Sequence, residues 1–128
     1  MLSTRTVLIA DDDRALRESL GEAIADLGWQ TRMAASGGEA IHMLGRDRCD
    51  LLLSDVDMPD MTGFQLLSWI HQHPPEMPVV LMSARADAQL LARAKADGAI
   101  TLLSKPVRFT ELTTLIHHLA CEGNHHHG

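Results

Sequence analysis

Short apolar runs alternate along the chain with longer segments in which apolar residues recur every three or four positions. Short runs bounded by turn residues favour strands, and the three-to-four spacing favours amphipathic helices. The predicted strands cover residues 6–10, 29–35, 50–54, 78–83 and 99–104. The apolar positions of the first helical segment are Leu16, Leu20, Ile24 and Leu27. The pattern therefore predicts five strand–helix units in succession.

Residues that favour helix starts and stops flank these segments. Ser36 with Glu39, and Thr62 with Gln65, have the spacing of a capping box, in which each residue bonds to the other's backbone amide. Gly28 can end the first helix in a left-handed conformation. These signals support helical segments after the second and third strands as well as after the first.

Regular alternation of strands and helices predicts right-handed crossovers, a parallel sheet, and helices on both of its faces. Four of the strands are continuously apolar, as burial on both faces requires, whereas the second carries Gln30 and Arg32 and is predicted at an edge. We take the strand order 2-1-3-4-5 from the flavodoxin-like group of doubly wound sheets. The expected fold class is α/β, a (βα)5 five-stranded parallel sheet.

Composition limits the possible functions. The 128 residues predict one domain, and 45% apolar with 3% aromatic residues predict an aliphatic core. A net charge of −6 without a basic run argues against direct binding to nucleic acid or an anionic membrane. No apolar stretch approaches the length of a bilayer span, and the start of the chain lacks a secretory layout, so we expect a cytoplasmic protein.

Two features are set aside. Cys49 and Cys121 lie far apart without CxxC spacing and predict no metal or disulfide framework. The end "GNHHHG" has the composition of a purification-tag remnant. We therefore assign residues 1–123 to one domain and residues 124–128 to a tag remnant.

Polar residues lie at the carboxyl ends of the four continuously apolar strands. Sites in open α/β sheets form outside the carboxyl ends of the strands. The residues at those ends are Asp11 and Asp12 after strand one, Asp55 after strand three, Ser83 as the last residue of strand four and Lys105 after strand five. In the order 2-1-3-4-5, Asp55 would have acids on one side and a hydroxyl and an ammonium on the other.

This set resembles the response-regulator receiver domain of two-component signalling, as in chemotaxis regulators. The matching residues are Asp11–Asp12 in "LIADDD", Asp55 in "LLLSDVDMPDMTG", Ser83–Ala84 in "VVLMSA" and Lys105–Pro106 in "LLSKPV". The resemblance covers residues 6 to 120 with all five units in order. It implies that Asp55 is the residue modified, to 4-aspartylphosphate, by a phosphohistidine on a sensor histidine kinase or phosphotransfer protein.

The resemblance also implies a metal site. Mg²⁺, or Mn²⁺, would be bound directly by Asp12 and Asp55, through water by Asp11, and by the backbone carbonyl of Asp57. The chemistry agrees, because transfer of a phosphoryl group to a carboxylate in an acidic pocket requires charge neutralisation. Catalysis would be limited to the domain's own phosphorylation and dephosphorylation, so its status as an enzyme is left open.

Other roles follow by the same resemblance. Lys105 and Ser83 would contact phosphoryl oxygens, and the Lys105–Pro106 bond would be cis. The signal would pass through the surface of helix four, strand five and helix five to an unknown output partner, with the domain a monomer or weak dimer. The family often has Phe or Tyr as a rotating switch within strand five, where this chain has Leu102. In the family, the positions of Asp57 and Arg85 tune the lifetime of the phosphoryl group.

Several nearby residues have simpler interpretations. Asp13 is expected to cap the first helix rather than bind metal, and Asp60 to be a turn residue. Gly63 is expected to have a backbone role at the start of helix three. His71 and His73 are expected to lie at a solvated helix end.

Two rival functions remain open from the sequence. "LLLSDVD" also resembles the strand-then-DxD motif of haloacid-dehalogenase-like phosphatases, although that motif usually follows the first strand and a cap domain usually follows it. The other rival is a pseudo-receiver that binds partners without phosphorylation. The chain would be either a single-domain regulator or a receiver excised from a larger protein.

Overall fold

The computed structural model describes residues 5–73 and 77–125. Strands and helices alternate throughout that part of the chain. In order they are β1 (Thr6–Ala10), α1 (Arg14–Ala25), β2 (Gln30–Ala34), α2 (Gly37–Arg46), β3 (Leu51–Asp55), α3 (Gly63–Gln72), β4 (Val79–Ser83), α4 (Ala88–Ala96), β5 (Thr101–Ser104) and α5 (Phe109–His125). The five predicted strand–helix units are confirmed.

The five strands form one parallel sheet in the order β2-β1-β3-β4-β5. The predicted sheet order and the edge position of β2 are therefore confirmed. The register aligns the carboxyl ends: Ala10 lies beside Ser54, Asp55 beside Met82, and Ser83 beside Ser104. Residues at the ends of four adjacent strands thus open onto one edge of the sheet.

Each face of the sheet is covered by its own set of helices. One apolar cluster packs Leu8 and Leu52 of the sheet against Phe64 of α3 and Ala94 of α4. The other packs alternate sheet residues against Leu20 and Ile24 of α1 and against Leu112 and Ile116 of α5. Successive strand residues point to opposite faces, which explains why both faces of the inner strands read as apolar.

Some boundaries differ from the predicted ones. β3 ends one residue later than predicted and includes Asp55, while β5 begins at Thr101 rather than at residue 99. The backbone N–H of Ala99 donates to the carbonyl of Ala94 (2.9 Å), after Gly98 turns the chain at a φ of 101°. Ala99 therefore bonds to the end of α4, although in the sequence it belongs to the apolar run that predicts the fifth strand.

Two helix details also differ. Leu27 is 41% exposed and follows the end of α1, so the predicted apolar face stops at Ile24. Thr62 and Gln65 form the predicted reciprocal capping box. Ser36 does accept from the Glu39 amide (3.1 Å), but the Glu39 carboxylate accepts from Ala35 rather than from Ser36, so that box is not reciprocal.

The last helix runs further than expected. α5 continues to His125, into the segment whose composition is that of a tag remnant. Asparagine and histidine are ordinary helix residues, so nothing in their chemistry stops a helix already under way. Within the described part of the chain, no helix combines the length and the apolar content that crossing a bilayer requires.

Candidate functional site

Two buried carboxylates lie at adjacent strand ends. Asp11 immediately follows β1 and is fully buried, and Asp55 is the last residue of β3 and 6% exposed. The Asp11 side chain accepts from the Asp13 amide (2.9 Å), and the Asp55 side chain accepts from the Asp57 amide (3.3 Å). These bonds hold each carboxylate within its own turn and direct the remaining oxygens toward the space between the strands.

Lys105 joins the two acids. Its Nζ lies 2.6 Å from Asp11 Oδ2 and 3.1 Å from Asp55 Oδ2, with the lysine side chain only 17% exposed. The Lys105–Pro106 peptide bond is cis. The strand ends therefore bring together one ammonium and two carboxylates that the sequence separates widely.

The environment shifts the proton affinity of this group. Burial raises the pKa of Asp55, and the charge of Asp11 adds to that effect, while the hydrogen bond from Lys105 opposes it. Burial lowers the pKa of Lys105, but its hydrogen bonds to Asp11 and Asp55 outweigh burial, so the pKa is raised overall. Lys105 thus stays charged at neutral pH. The raised pKa of Asp55 shows that Lys105 only partly neutralises its negative charge.

Three carboxylates offer a cation site. Oxygens from Asp11, Asp12 and Asp55 all lie within 4.8 Å of one another, and Asp12 is exposed where the other two are buried. Hard carboxylate oxygens are the ligands that Mg²⁺ and Mn²⁺ favour. With Lys105 as the neighbouring cation, the cluster keeps a formal negative charge. Its chemistry therefore fits a divalent cation.

The backbone after β3 also leaves a ligand available. Asp57 and Thr62 pair in an isolated antiparallel bridge. The hydrogen bond at that bridge joins the Gly63 amide to the Val56 carbonyl (2.8 Å) and does not use the Asp57 carbonyl. This arrangement is compatible with the predicted role of that carbonyl.

Gly63 closes the loop against the site. A Cβ built on Gly63 would lie 2.6 Å from the Asp55 carbonyl oxygen. Only glycine allows α3 to begin this close to the end of β3, and the expected backbone role of Gly63 is confirmed. Asp13 also behaves as expected, since its side chain accepts from the Leu16 amide (3.2 Å) and caps α1.

Ser83 lies on the other side of Asp55, at the end of β4, and is buried. Its Oγ accepts from the Arg85 amide (3.0 Å), which leaves the hydroxyl hydrogen to donate elsewhere. The Arg85 guanidinium in turn donates to both Asp57 oxygens (3.2 and 3.3 Å), and both of these side chains are largely exposed. An ion pair therefore spans the loops after β3 and β4.

Two contacts were not anticipated from the sequence. The Arg17 guanidinium donates to the Asp11 carbonyl. Asp60, expected to be a turn residue, accepts from the amides of Gly37 (3.0 Å) and Gly38 (2.7 Å) at the start of α2. No sequence spacing signals either contact, because both depend on how separate elements pack.

The family assignment follows from comparison with known proteins. The family model described as the response regulator receiver domain matches residues 7–117. The chain belongs to the response regulator receiver family. That membership sets the phosphatase rival aside and confirms the resemblance inferred from the strand-end residues.

Curated relatives match most of this chain over a small part of their own length. The chain is 35% identical over 111 residues to the DNA-binding transcriptional regulator NtrC of Rhizobium meliloti, covering 87% of this chain and 23% of that protein. It is 32% identical over 116 residues to the regulatory protein AtoC of Escherichia coli, covering 91% and 25%. The chain therefore spans about a quarter of the length of these curated relatives.

Two solved receiver structures have the same fold. The chemotaxis response regulator CheY4 of Vibrio cholerae superposes with a TM-score of 0.84 at 27% identity, covering 91% of this chain and 99% of that chain. A CheY-like response regulator receiver domain from Methanospirillum hungatei gives 0.86 at 27% identity, covering 96% and 99%. These comparisons confirm the flavodoxin-like fold of the receiver class.

Proposed function

We propose that this receiver domain accepts a phosphoryl group on Asp55. The observation that carries the proposal is the placement of a buried carboxylate at the tip of β3, with the Lys105 ammonium 3.1 Å away and the oxygens of Asp11 and Asp12 close by. A carboxylate that is desolvated, and whose charge is only partly neutralised, is a stronger nucleophile toward an electrophile such as a phosphoryl group.

Phosphoryl transfer replaces a phosphorus–nitrogen bond of the donor with a phosphorus–oxygen bond to Asp55. An Asp55 carboxylate oxygen forms a bond to phosphorus while the bond from phosphorus to the donor's imidazole nitrogen breaks. The electron pair of that bond stays on the nitrogen, and the imidazole takes up a proton from solvent. The Lys105 ammonium would donate to one phosphoryl oxygen. The Ser83 hydroxyl, which accepts from the Arg85 amide and keeps its own hydrogen, would donate to another.

A bound Mg²⁺ or Mn²⁺ ion would neutralise part of the negative charge of the phosphoryl group. Asp12 and Asp55 would hold it directly, Asp11 through water, and the Asp57 backbone carbonyl would complete the protein ligands. The close approach of the three carboxylate oxygens supports this set.

Membership of the receiver family supports a proposal for the phosphoryl donor and for the partner that receives the signal. We expect a sensor histidine kinase or phosphotransfer protein as donor, and a partner that reads the surface of α4, β5 and α5. In α4 only Ala94 is buried among the described residues, which suits an element that shifts with the state of the site.

The DNA binding named for NtrC belongs to that longer protein. For this chain we propose a cytoplasmic monomer or weak dimer.

The test is phosphorylation with acetyl phosphate and Mg²⁺, followed by intact mass. One phosphoryl group should be added to wild type, and hydroxylamine should remove it, as it does an acyl phosphate. Asp55→Asn should take none. Asp50→Asn is the matched control, because Asp50 precedes the same strand at its opposite end and accepts from the Thr6 amide (2.8 Å).

Wild type and the two variants separate phosphorylation of Asp55 from the alternatives. Equal phosphorylation of wild type and Asp50→Asn, with none on Asp55→Asn, supports the proposal. A full adduct on Asp55→Asn would place the acceptor elsewhere. No adduct on wild type, together with no binding of beryllofluoride, would favour the pseudo-receiver.

A further inference from the structure

Asp60 connects the loop after β3 to a different helix. Its two carboxylate oxygens accept separately from the amides of Gly37 (3.0 Å) and Gly38 (2.7 Å), 23 and 22 positions earlier. These are amides of the first turn of α2, which have no partner within the helix itself. The bonds from Gly38 and Gly37 also lower the pKa of Asp60, so the carboxylate is charged at neutral pH. A charged group thus occupies the positive end of α2.

Packing reinforces this connection. Gly37 is buried, and a Cβ built on it would collide with the Met61 side chain. Met61 therefore lies directly against the first turn of α2, beside the two hydrogen bonds of Asp60. The Ser36 side chain caps the same helix by accepting from Glu39 and takes no part in the Asp60 hydrogen bonds.

The loop that carries Asp60 is short. Residues 56–62, here called the β3–α3 loop, begin directly after Asp55 and include Asp57, whose carbonyl is a proposed metal ligand. Within the loop, the Asp57–Thr62 bridge fixes its width, and the Gly63 amide bonds to the Val56 carbonyl. The bonds from Asp60 to α2 fix the loop from outside, three residues from Asp57.

We propose that Asp60 is a positioning residue that couples the phosphoacceptor site to the first turn of α2. It holds the β3–α3 loop, and with it the Asp57 carbonyl, in the position that the metal requires. The inference rests on the proposed function, since it concerns the metal site of that reaction. By linkage, occupancy of the site must also stabilise the contact of Asp60 with α2.

The first test compares metal affinity with stability. Mg²⁺ is titrated while the amide signals of residues 56–58 are followed by NMR, and melting is measured on the same samples. Asp60→Ala should raise the Kd for Mg²⁺ about tenfold, which corresponds to about 1.4 kcal/mol. Asp60→Asn keeps one acceptor oxygen and should lie between Asp60→Ala and wild type.

Ser36→Ala is the matched control. It removes the other cap of α2 and should lower the melting temperature, but it leaves the bonds of Asp60 in place, so the Kd for Mg²⁺ should stay at the wild-type value. If Ser36→Ala weakens Mg²⁺ as much as Asp60→Ala does, general loosening of α2 explains the effect and the inference is overturned.

The second test measures the reverse direction. Mg²⁺ with beryllofluoride, a stable mimic of the phosphoryl group, should slow hydrogen exchange of the Gly37 and Gly38 amides in wild type. That protection should disappear in Asp60→Ala even at saturating ligand. Protection that persists in the variant, or is absent from a wild type that binds normally, overturns the inference.

A third comparison approaches the contact from α2. Gly37→Ala should displace Met61 and weaken Mg²⁺ binding, whereas Gly45→Ala, on the same helix with open space around it, should not. Equal affinities for these two variants count against the coupling. Failure of wild type to bind Mg²⁺ at all would overturn the proposed function and this inference together, while normal binding by every variant would overturn the inference alone.

Discussion

Lys105 Nζ lies 2.6 Å from Asp11 Oδ2, although 94 positions separate the two residues. In the sheet, β3 and β4 lie between the strands that precede these residues, so the lysine side chain reaches across the site. Asp11 is fully buried, and Lys105 is also the partner of Asp55. The lysine is therefore the charge that allows two carboxylates to be buried side by side.

Replacement of this lysine should destabilise the domain. Lys105→Met keeps most of the aliphatic stem but leaves Asp11 and Asp55 without their cation. Removal of one partner of a buried pair costs about 3–5 kcal/mol, and because Lys105 is partly exposed the expected loss is about 3 kcal/mol. Urea unfolding at pH 7 without divalent cations measures it. Lys95→Met, on the exposed side of α4, should change the unfolding free energy by less than about 0.5 kcal/mol. Equal effects from the two lysines would contradict the role of Lys105.

The acceptor itself should reduce stability when charged. The folded-state pKa of Asp55 is raised, so the folded domain binds its proton more tightly than the unfolded chain does. Stability contributed by Asp55 therefore falls as pH rises from the unfolded value of 3.8 through the raised folded value. Asp55→Asn should melt higher than wild type at pH 7 without Mg²⁺, and this advantage should shrink as pH falls toward 3.8. A difference that is independent of pH would show that charge is not its cause.

The sequence predicts the framework of the site well because strand ends are encoded locally. An apolar run that stops at a polar residue marks both the strand and its tip, and a parallel sheet gathers such tips at one edge. Asp11, Asp55 and Lys105 are found together for this reason. Their distances, and the sharing of one ammonium by two acids, depend on side-chain packing across the sheet.

Other features could not be predicted in the same way. Asp60 follows a proline in the β3–α3 loop, and an aspartate in that position ordinarily indicates a turn. Its partners are backbone amides, which carry no sequence signature. The late start of β5 likewise results from the way Gly98 ends α4, where an apolar run conceals the boundary.

Gly63 should tolerate no side chain. In Gly63→Ala the added methyl would meet the Asp55 carbonyl oxygen at 2.6 Å, so backbone must shift. Such overpacking costs about 1–3 kcal/mol. Gly45→Ala, with nothing within 4 Å, should instead stabilise the helix interior by about 0.5–1 kcal/mol. Denaturant unfolding of both variants gives the comparison. Destabilisation of the same size in both variants would show that the contact with the Asp55 carbonyl is not the cause.

Arg85 should affect the lifetime of the phosphoryl group more than stability. Its ion pair with Asp57 is largely exposed, and such pairs are worth about 0.2–1 kcal/mol. The guanidinium nevertheless bridges the loops after β3 and β4, close to Asp55, and its removal should admit water to the site more readily. Arg85→Ala should therefore melt near the wild-type temperature and lose its phosphoryl group faster, as followed by intact mass after removal of acetyl phosphate. A large loss of stability with an unchanged lifetime would be the opposite result.

Coupling from the site to the β4–α4 corner should run through Ser83, because the usual aromatic switch is absent. Leu102 is 9% exposed, lies beside Leu81 in the sheet and belongs to the core. A leucine also has no aromatic ring to rotate between a buried and an exposed position. The Ser83 Oγ, in contrast, already accepts from the Arg85 amide and can donate to a phosphoryl oxygen. A charge-assisted hydrogen bond of this kind contributes about 1.5–3 kcal/mol, which is enough to change the populations of two nearby states of the following loop. Beryllofluoride should therefore shift the amide signals of residues 84–88 and 99–105.

In Ser83→Ala these distant shifts should shrink while beryllofluoride still binds at Asp55. Ser104→Ala is the control, because Ser104 pairs with Ser83 in the sheet register but is exposed. Its shifts at residues 84–88 should match those of wild type. Undiminished shifts in Ser83→Ala would show that the loop responds through another contact. Reduced shifts in both variants would assign the effect to the shared ends of β4 and β5 rather than to the Ser83 hydroxyl.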